Sequence, residues 1–154
     1  FLADVWWGEP DVLILDLAPG TGDMAISVAQ ALPNAELVVV TTPQPSASDI
    51  AVRSGLVALQ VPMRVRGVVE NMSYFEHAGE RIDIFGTGGG ARVSSQLTDA
   101  LHYEVPLMAQ LPLDPRIREI GESEGRPAVL NDDGTLRDDD FGRTFGHLAK
   151  SLLA

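Results

Sequence analysis

The runs VLILDL (12–17), LVVVTT (37–42) and VRGVVEN (65–71) decide how this chain folds. Each is rich in β-branched residues, nearly continuous in hydrophobicity and too short for a helix, the pattern of strands buried on both faces. Between them, 23–32 and 46–59 carry apolar residues at three- and four-residue spacing, with Ser46 as expected N-cap of the second helix and Pro33 ending the first. Strand and helix in alternation predict a parallel sheet. Past Asn71 the pattern loosens over 73–90, apart from a short apolar segment at 82–85 and a glycine cluster. It resumes with a predicted helix at 91–101, a strand at 106–113, a helix at 115–124, a small extended piece at 128–130 and an amphipathic helix at 141–153. The expected architecture is α/β, an open and mostly parallel sheet with helices on both faces.

Composition narrows the function classes. The 154 residues make an ordinary single-domain length, and the expectation is one domain or one piece of a larger one. The chain opens on Phe1, and FLADVWW reads like the end of a helix entered midway, so part of a longer protein is expected to lie upstream. There are 22 acidic and 11 basic residues, a net charge of -11, and no Lys/Arg stripe; that field opposes phosphate-backbone contacts and argues against nucleic acid as a partner. Asp132, Asp133, Asp138, Asp139 and Asp140 crowd one segment, which reads as a solvated loop. No apolar run approaches the roughly 20 residues of a membrane span, and the start does not resemble a signal peptide, so no membrane partner and a cytoplasmic location are expected. Cysteine is absent, which excludes disulfides and thiolate metal sites.

In open α/β sheets the ligand crevice lies beyond the carboxyl ends of the strands. Three clusters sit there: DLAPGTGD (16–23), VENMSYF (69–75) and LPLDPRIRE (111–119). An aspartate ending an apolar strand before a Gly-containing turn can hold a magnesium-bound water and bring a backbone N–H near a γ-phosphate. The same run, VLILDLAPGTGD, resembles the first motif of class I methyltransferases, where a glycine-rich turn approaches S-adenosylmethionine; a Pro-Gly turn also needs no ligand at all. The first cluster alone leaves these open. The next strand weighs against a methyltransferase, because it ends in Thr41, Thr42, Pro43 and Gln44 instead of an acid for the ribose hydroxyls.

Taken in order, DVLILDLAPGTGD, VVVTTPQPSASD, GVVENMSYF, IFGTGGGARV and LPLDPRIRE resemble, across essentially the whole chain, the Mrp/ApbC group of the ParA/MinD-like P-loop ATPases. The resemblance implies the carboxy-terminal part, 1–154, of one P-loop ATPase domain whose intact protein binds and hydrolyses ATP with Mg2+, carries or assembles iron–sulfur clusters for apoprotein acceptors, and works as a homodimer. By the same resemblance Asp16 matches the Walker B aspartate that binds magnesium through water, and Gly20 the switch glycine whose N–H approaches the γ-phosphate. Asp23 lies in the same turn, or serves as a helix N-cap. Asn71 matches the asparagine that hydrogen-bonds adenine, an amide offering both donor and acceptor. Pro112, Leu113 and Asp114 match the loop packing against the other side of the base; the plain alternative is a strand-to-helix turn capped by Asp114.

Three departures qualify this. The family's second switch proline is Ala18 here, a mild change. After SYF most members carry Cys-x-x-Cys, whereas this chain reads Phe75, Glu76, His77, Ala78, Gly79, so it has no thiolate for a cluster, and His77 alone reads as an ordinary surface histidine. No G-x-x-x-x-G-K-[ST] loop is present; neither GTGD nor GTGGGAR (86–92) has the lysine, and the latter more simply opens a helix. Without that cradle the chain alone is not expected to turn over ATP. The alternatives carried forward are a class I methyltransferase and a non-catalytic partner-binding remnant. A chain beginning at Phe1 would also lack an interior strand, leaving reactive edges at 12–15 and 37–40.

Overall fold

The computed structural model describes residues 4–18, 22–123, 125 and 127–153. The parallel sheet is built from three of the expected runs: β1 (Glu36–Thr41), β2 (Arg64–Glu70) and β5 (Leu107–Gln110), in the order β1-β2-β5 with both pairings parallel. Helix α1 (Gly22–Ala31) precedes β1, and α2 (Pro45–Gly55) with a 3-10 turn (Leu56–Leu59) connects β1 to β2. The helix expected over 46–59 thus changes geometry after Gly55. Its start is set by Pro45 at the first helical position after Gln44, which makes no side-chain cap, so Ser46 lies inside the helix and is not its cap.

Between β2 and β5 runs α3 (Gly89–Leu101), preceded by a two-stranded antiparallel hairpin of β3 (Phe75–His77) and β4 (Glu80–Ile82). Helices α4 (Arg116–Ser123) and α5 (Asp140–Leu153) complete the chain, and 128–130 contributes one bridge, Leu130 with Leu136.

Helices cover both faces of the sheet. On one, Val39, Val65 and Val68 pack with Ala51 of α2 and with Val93 and Leu97 of α3 around buried Val105. On the other, Val69, Ala109 and Leu111 meet Phe145 and Leu148 of α5. The alternation Val38/Val39 and Val68/Val69 between these two cores is the period of 2 expected of strands buried on both sides.

The strand expected at 12–17 does not form. These residues lie outside the sheet, with Ile14 84% and Val12 51% exposed. Apolar sequence supplies a preference for burial, but a strand also needs a neighbour to satisfy its backbone groups, and β1 offers none to this run in the described residues. The outer edge of β1 is correspondingly open, with Val40 60% exposed.

The aspartate-rich segment is only partly a solvated loop. Asp139 Oδ1 accepts the Gly142 N–H at 2.9 Å, capping α5, and its other oxygen pairs with Arg137 and Arg116. Asp140 accepts a hydrogen bond from the Tyr74 hydroxyl. That acceptor, after burial itself, pushes the phenol up to about 12.

Candidate functional site

The carboxyl ends of β2 and β5 continue past the sheet as a short polar ladder. Leu111 N–H donates to Glu70 O at 2.8 Å, Ser73 N–H to Leu111 O at 2.8 Å, and Leu113 N–H to Tyr74 O at 2.7 Å. Two of the predicted site segments, Asn71 and 112–114, are thereby held side by side. Asn71 itself is tied to the end of β1 by its N–H donating to Thr41 O at 2.8 Å. Its Oδ1 accepts the Met72 N–H at 2.9 Å, and Met72 sits at φ 54, so the chain turns sharply just after the asparagine. Among the described residues the Asn71 Nδ2 makes no hydrogen bond, and Oδ1 keeps a second lone pair. A half-buried amide with a free donor and a free acceptor fits the edge of a base.

Pro112 is buried and Leu113 half-buried. Asp114 is turned to a different task. Its carboxyl accepts the Arg116 backbone N–H at 3.0 Å and two guanidinium N–H groups at 2.8 and 2.5 Å, which starts α4. Burial pushes the Asp114 carboxyl up, but the Arg116 hydrogen bonds and the charges of Arg116 and Arg137 outweigh it and hold the group below the usual carboxylate range. Its side chain thus serves the turn that leads into α4.

Asp16 stands apart. It is exposed, lies outside the sheet, and lines an apolar groove of about 350 Å³ with Trp7, its neighbours at 13–17, Met24 and Val28. Among the described residues no hydrogen bond joins it to Asn71 or to 111–114. Gly20 lies outside the described residues. Asp23 falls in the first turn of α1, where its charge complements the helix dipole.

The residue that sequence reasoning missed is Glu70. It is 1% exposed and holds three donors: the Ser73 hydroxyl at 2.8 Å and the Gln110 amide at 2.7 Å on Oε1, and the Gly90 N–H at 2.5 Å on Oε2. A carboxyl so deeply buried is tolerable only with such partners. The signal that could have found it is the pair Gly89-Gly90, which is there for closeness. A Cβ on Gly90 would lie 2.8 Å from the Glu70 Cβ, and one on Gly89 would lie 2.5 Å from Thr42 O.

Gly89 and Gly90 are thus packing devices, whereas Gly86 and Gly88, at φ 84 and 80, serve the left-handed turns before the helix. The amino end of α3 already meets a carboxyl of the protein's own, which leaves it ill suited to cradle a phosphate. The only lysine of the sequence is Lys150, in the last turn of α5, so the described residues and the sequence alike offer no phosphate-gripping loop. In the segment that departs from the Cys-x-x-Cys pattern, the β3–β4 hairpin turns through Ala78 and Gly79 at φ 52 and 80, with Phe75 and His77 stacked and Arg81 over the Tyr74 ring. Among the described residues no group of three or more acidic or histidine side chains could hold a metal ion, and no helix is long and apolar enough to cross a membrane.

An open parallel α/β unit with its polar groups gathered beyond the strand ends is the class that fold and site define. The chain matches, over residues 1–151, the ParA family described as NUBPL iron-transfer P-loop NTPase, and it belongs to that family. It is similar to the iron–sulfur cluster carrier protein of Mycobacterium leprae, 55% identical over 132 residues, covering 85% of this chain and 34% of that protein. The carrier protein of Bacillus subtilis is 44% identical over 115 residues, covering 73% and 31%, and that of Helicobacter pylori 36% identical over 155 residues, covering 99% and 39%. The chain thus spans about a third of the length of these relatives. The cell-division ATPase MinD of Pyrococcus furiosus superposes with a TM-score of 0.49 at 27% identity, covering 76% of this chain and 41% of that one.

Proposed function

We propose that this chain is the carboxy-terminal part of one P-loop ATPase domain, and that the whole protein binds and hydrolyses Mg2+-ATP in the service of iron–sulfur cluster carriage or assembly. The observation that carries the reading is the family match over nearly the whole chain, joined to relatives whose printed name is iron–sulfur cluster carrier protein. The proposal includes a cytoplasmic homodimer that hands clusters to apoproteins.

Within it the base side of the nucleotide site falls to Asn71, with Pro112 and Leu113 packed against the base and Asp114 holding their loop through Arg116. Asp16 and Gly20 serve the magnesium and γ-phosphate side. The phosphate-gripping loop comes from polypeptide outside these 154 residues, because the sequence has no G-x-x-x-x-G-K-[ST]. When bound, magnesium would neutralise developing charge on the phosphates. The cluster is cargo, and with no cysteine in the sequence its ligands are not supplied by this chain. The same lack favours, as a second reading, a relative that keeps the partner surface without cluster carriage.

The test is base selectivity in the full-length protein, of the length of its curated relatives. Asn71→Ala should weaken ATP by about tenfold, the worth of one hydrogen bond to the base, with little change for GTP. Equal losses for both nucleotides would overturn the role given to Asn71.

A further inference from the structure

We infer that Glu70 is the positioning residue for base recognition: it closes the turn that presents Asn71 and locks that turn to α3 and β5. The inference rests on the reading of Asn71 as the base-binding amide. Ser73 is three residues beyond Glu70, and its single hydroxyl proton is shared between Glu70 O, at 2.9 Å, and Glu70 Oε1, at 2.8 Å. Asn71 and Met72 are therefore the two central residues of a turn whose ends are clasped by one side chain. The non-glycine Met72 at φ 54 is an uncommon conformation that persists only where its surroundings impose it. Glu70 supplies that imposition.

The other two bonds tie the turn to separate elements. Gly90 N–H brings the amino end of α3 onto Oε2, and the Gln110 amide brings the last residue of β5 onto Oε1. The Asn71 amide is then fixed relative to Leu111–Leu113, which β5 carries. A carboxyl is the side chain that can accept all three donors at once. A glutamine at 70 would present an NH2 group to at least one of them, and a buried donor facing a donor is costly.

The chemistry suggests its own rescue. In the pair Glu70→Gln with Gln110→Glu, the amide oxygen at 70 accepts from Gly90, and its NH2 donates to the new carboxyl and to the Ser73 oxygen. Hydrolysis of ATP and GTP by the full-length protein gives the readout, with thermal unfolding run on each variant. Glu70→Gln should lower the ATP-over-GTP preference in kcat/KM about tenfold, and the double variant should recover most of it. If Glu70→Gln does not fold, Ser73→Ala removes the same clasp without touching the carboxyl and should lower the preference severalfold. A purely structural role would depress both nucleotides equally. An unchanged preference in folded Glu70→Gln or Ser73→Ala, while Asn71→Ala abolishes it, would overturn the inference and leave the Asn71 reading intact. An unchanged preference in Asn71→Ala itself would sink both.

Discussion

Glycine-to-alanine substitution in a helix normally stabilises, by about 0.5–1 kcal/mol, because alanine loses less backbone freedom on folding. Two helical glycines here should respond with opposite signs. Gly121, in α4, has nothing within 4 Å of where a Cβ would stand. Gly89, at the start of α3, would place its Cβ 2.5 Å from Thr42 O and 2.7 Å from both Pro43 Cα and Pro43 O. Those neighbours are backbone, so no side-chain rotation can relieve contacts about 1 Å inside the usual separation of about 3.5–4 Å. Overpacking of this kind costs about 2–3 kcal/mol, which leaves a net loss of about 1–2 kcal/mol after the helix gain. At roughly 2–4 °C per kcal/mol for a chain of this size, Gly89→Ala should unfold about 2–8 °C below the parent and Gly121→Ala about 1–4 °C above it. Circular dichroism melting of the three proteins decides. Gly89→Ala melting at or above the parent would show that α3 is not seated against the β1–α2 turn as described.

Acid should act through the loop that carries Leu113. Asp114 titrates below its ordinary value in the folded protein, so its contribution to stability is complete above the unfolded carboxylate pKa of about 3.9 and is lost as pH falls through the folded value. Arg116→Ala should cost about 1–3 kcal/mol at pH 7, and the gap to the parent in denaturant unfolding should close below about pH 4; a gap that widens in acid would refute the pairing. Anaerobic incubation of the 154-residue chain with iron and sulfide should leave no cluster absorbance, since it has no thiolate; a stoichiometric cluster would refute this. The open edge of β1 and the exposed run at 12–15 should make the same chain associate in light scattering, and Val40→Lys should reduce that association; a monomeric parent would show that the edge is protected.

What the sequence revealed and concealed follows from how locally each feature is encoded. The strand β1 is legible because five consecutive apolar or β-branched positions, Leu37 to Thr41, admit few other folds, and β2, interrupted by Arg66 and Gly67, is legible as the next strand in the alternation of strand and helix. The run at 12–17 has the same local signature and still fails to form a strand, because pairing depends on which neighbour is present. The hairpin escaped notice because FEH and ERI are three-residue strands without apolar alternation, and their turn centres on Ala78-Gly79, a weaker signal than Asn-Gly. Among the candidate site residues, Asn71 and the 112–114 loop stand out in the sequence as motifs at strand ends, and the ladder from Glu70 to Tyr74 holds them side by side. Glu70 was concealed because a glutamate in isolation reads as solvent-facing; its burial is visible only once Ser73, Gly90 and Gln110 converge on it from three parts of the chain. Asp139 and Asp140 looked like a solvated acidic run for the same reason, their partners Arg116, Arg137 and Tyr74 being remote or unremarkable in sequence.

The most direct test of the account is calorimetry on the full-length protein with two ligands. Magnesium-ATP should bind saturably, and S-adenosylmethionine should give no heat beyond dilution. Asp16→Ala should reduce magnesium-dependent hydrolysis by about two orders of magnitude or more, as expected on removing a metal's anchor. Saturable S-adenosylmethionine binding with silence toward magnesium-ATP would contradict the assignment of these residues to an ATP site.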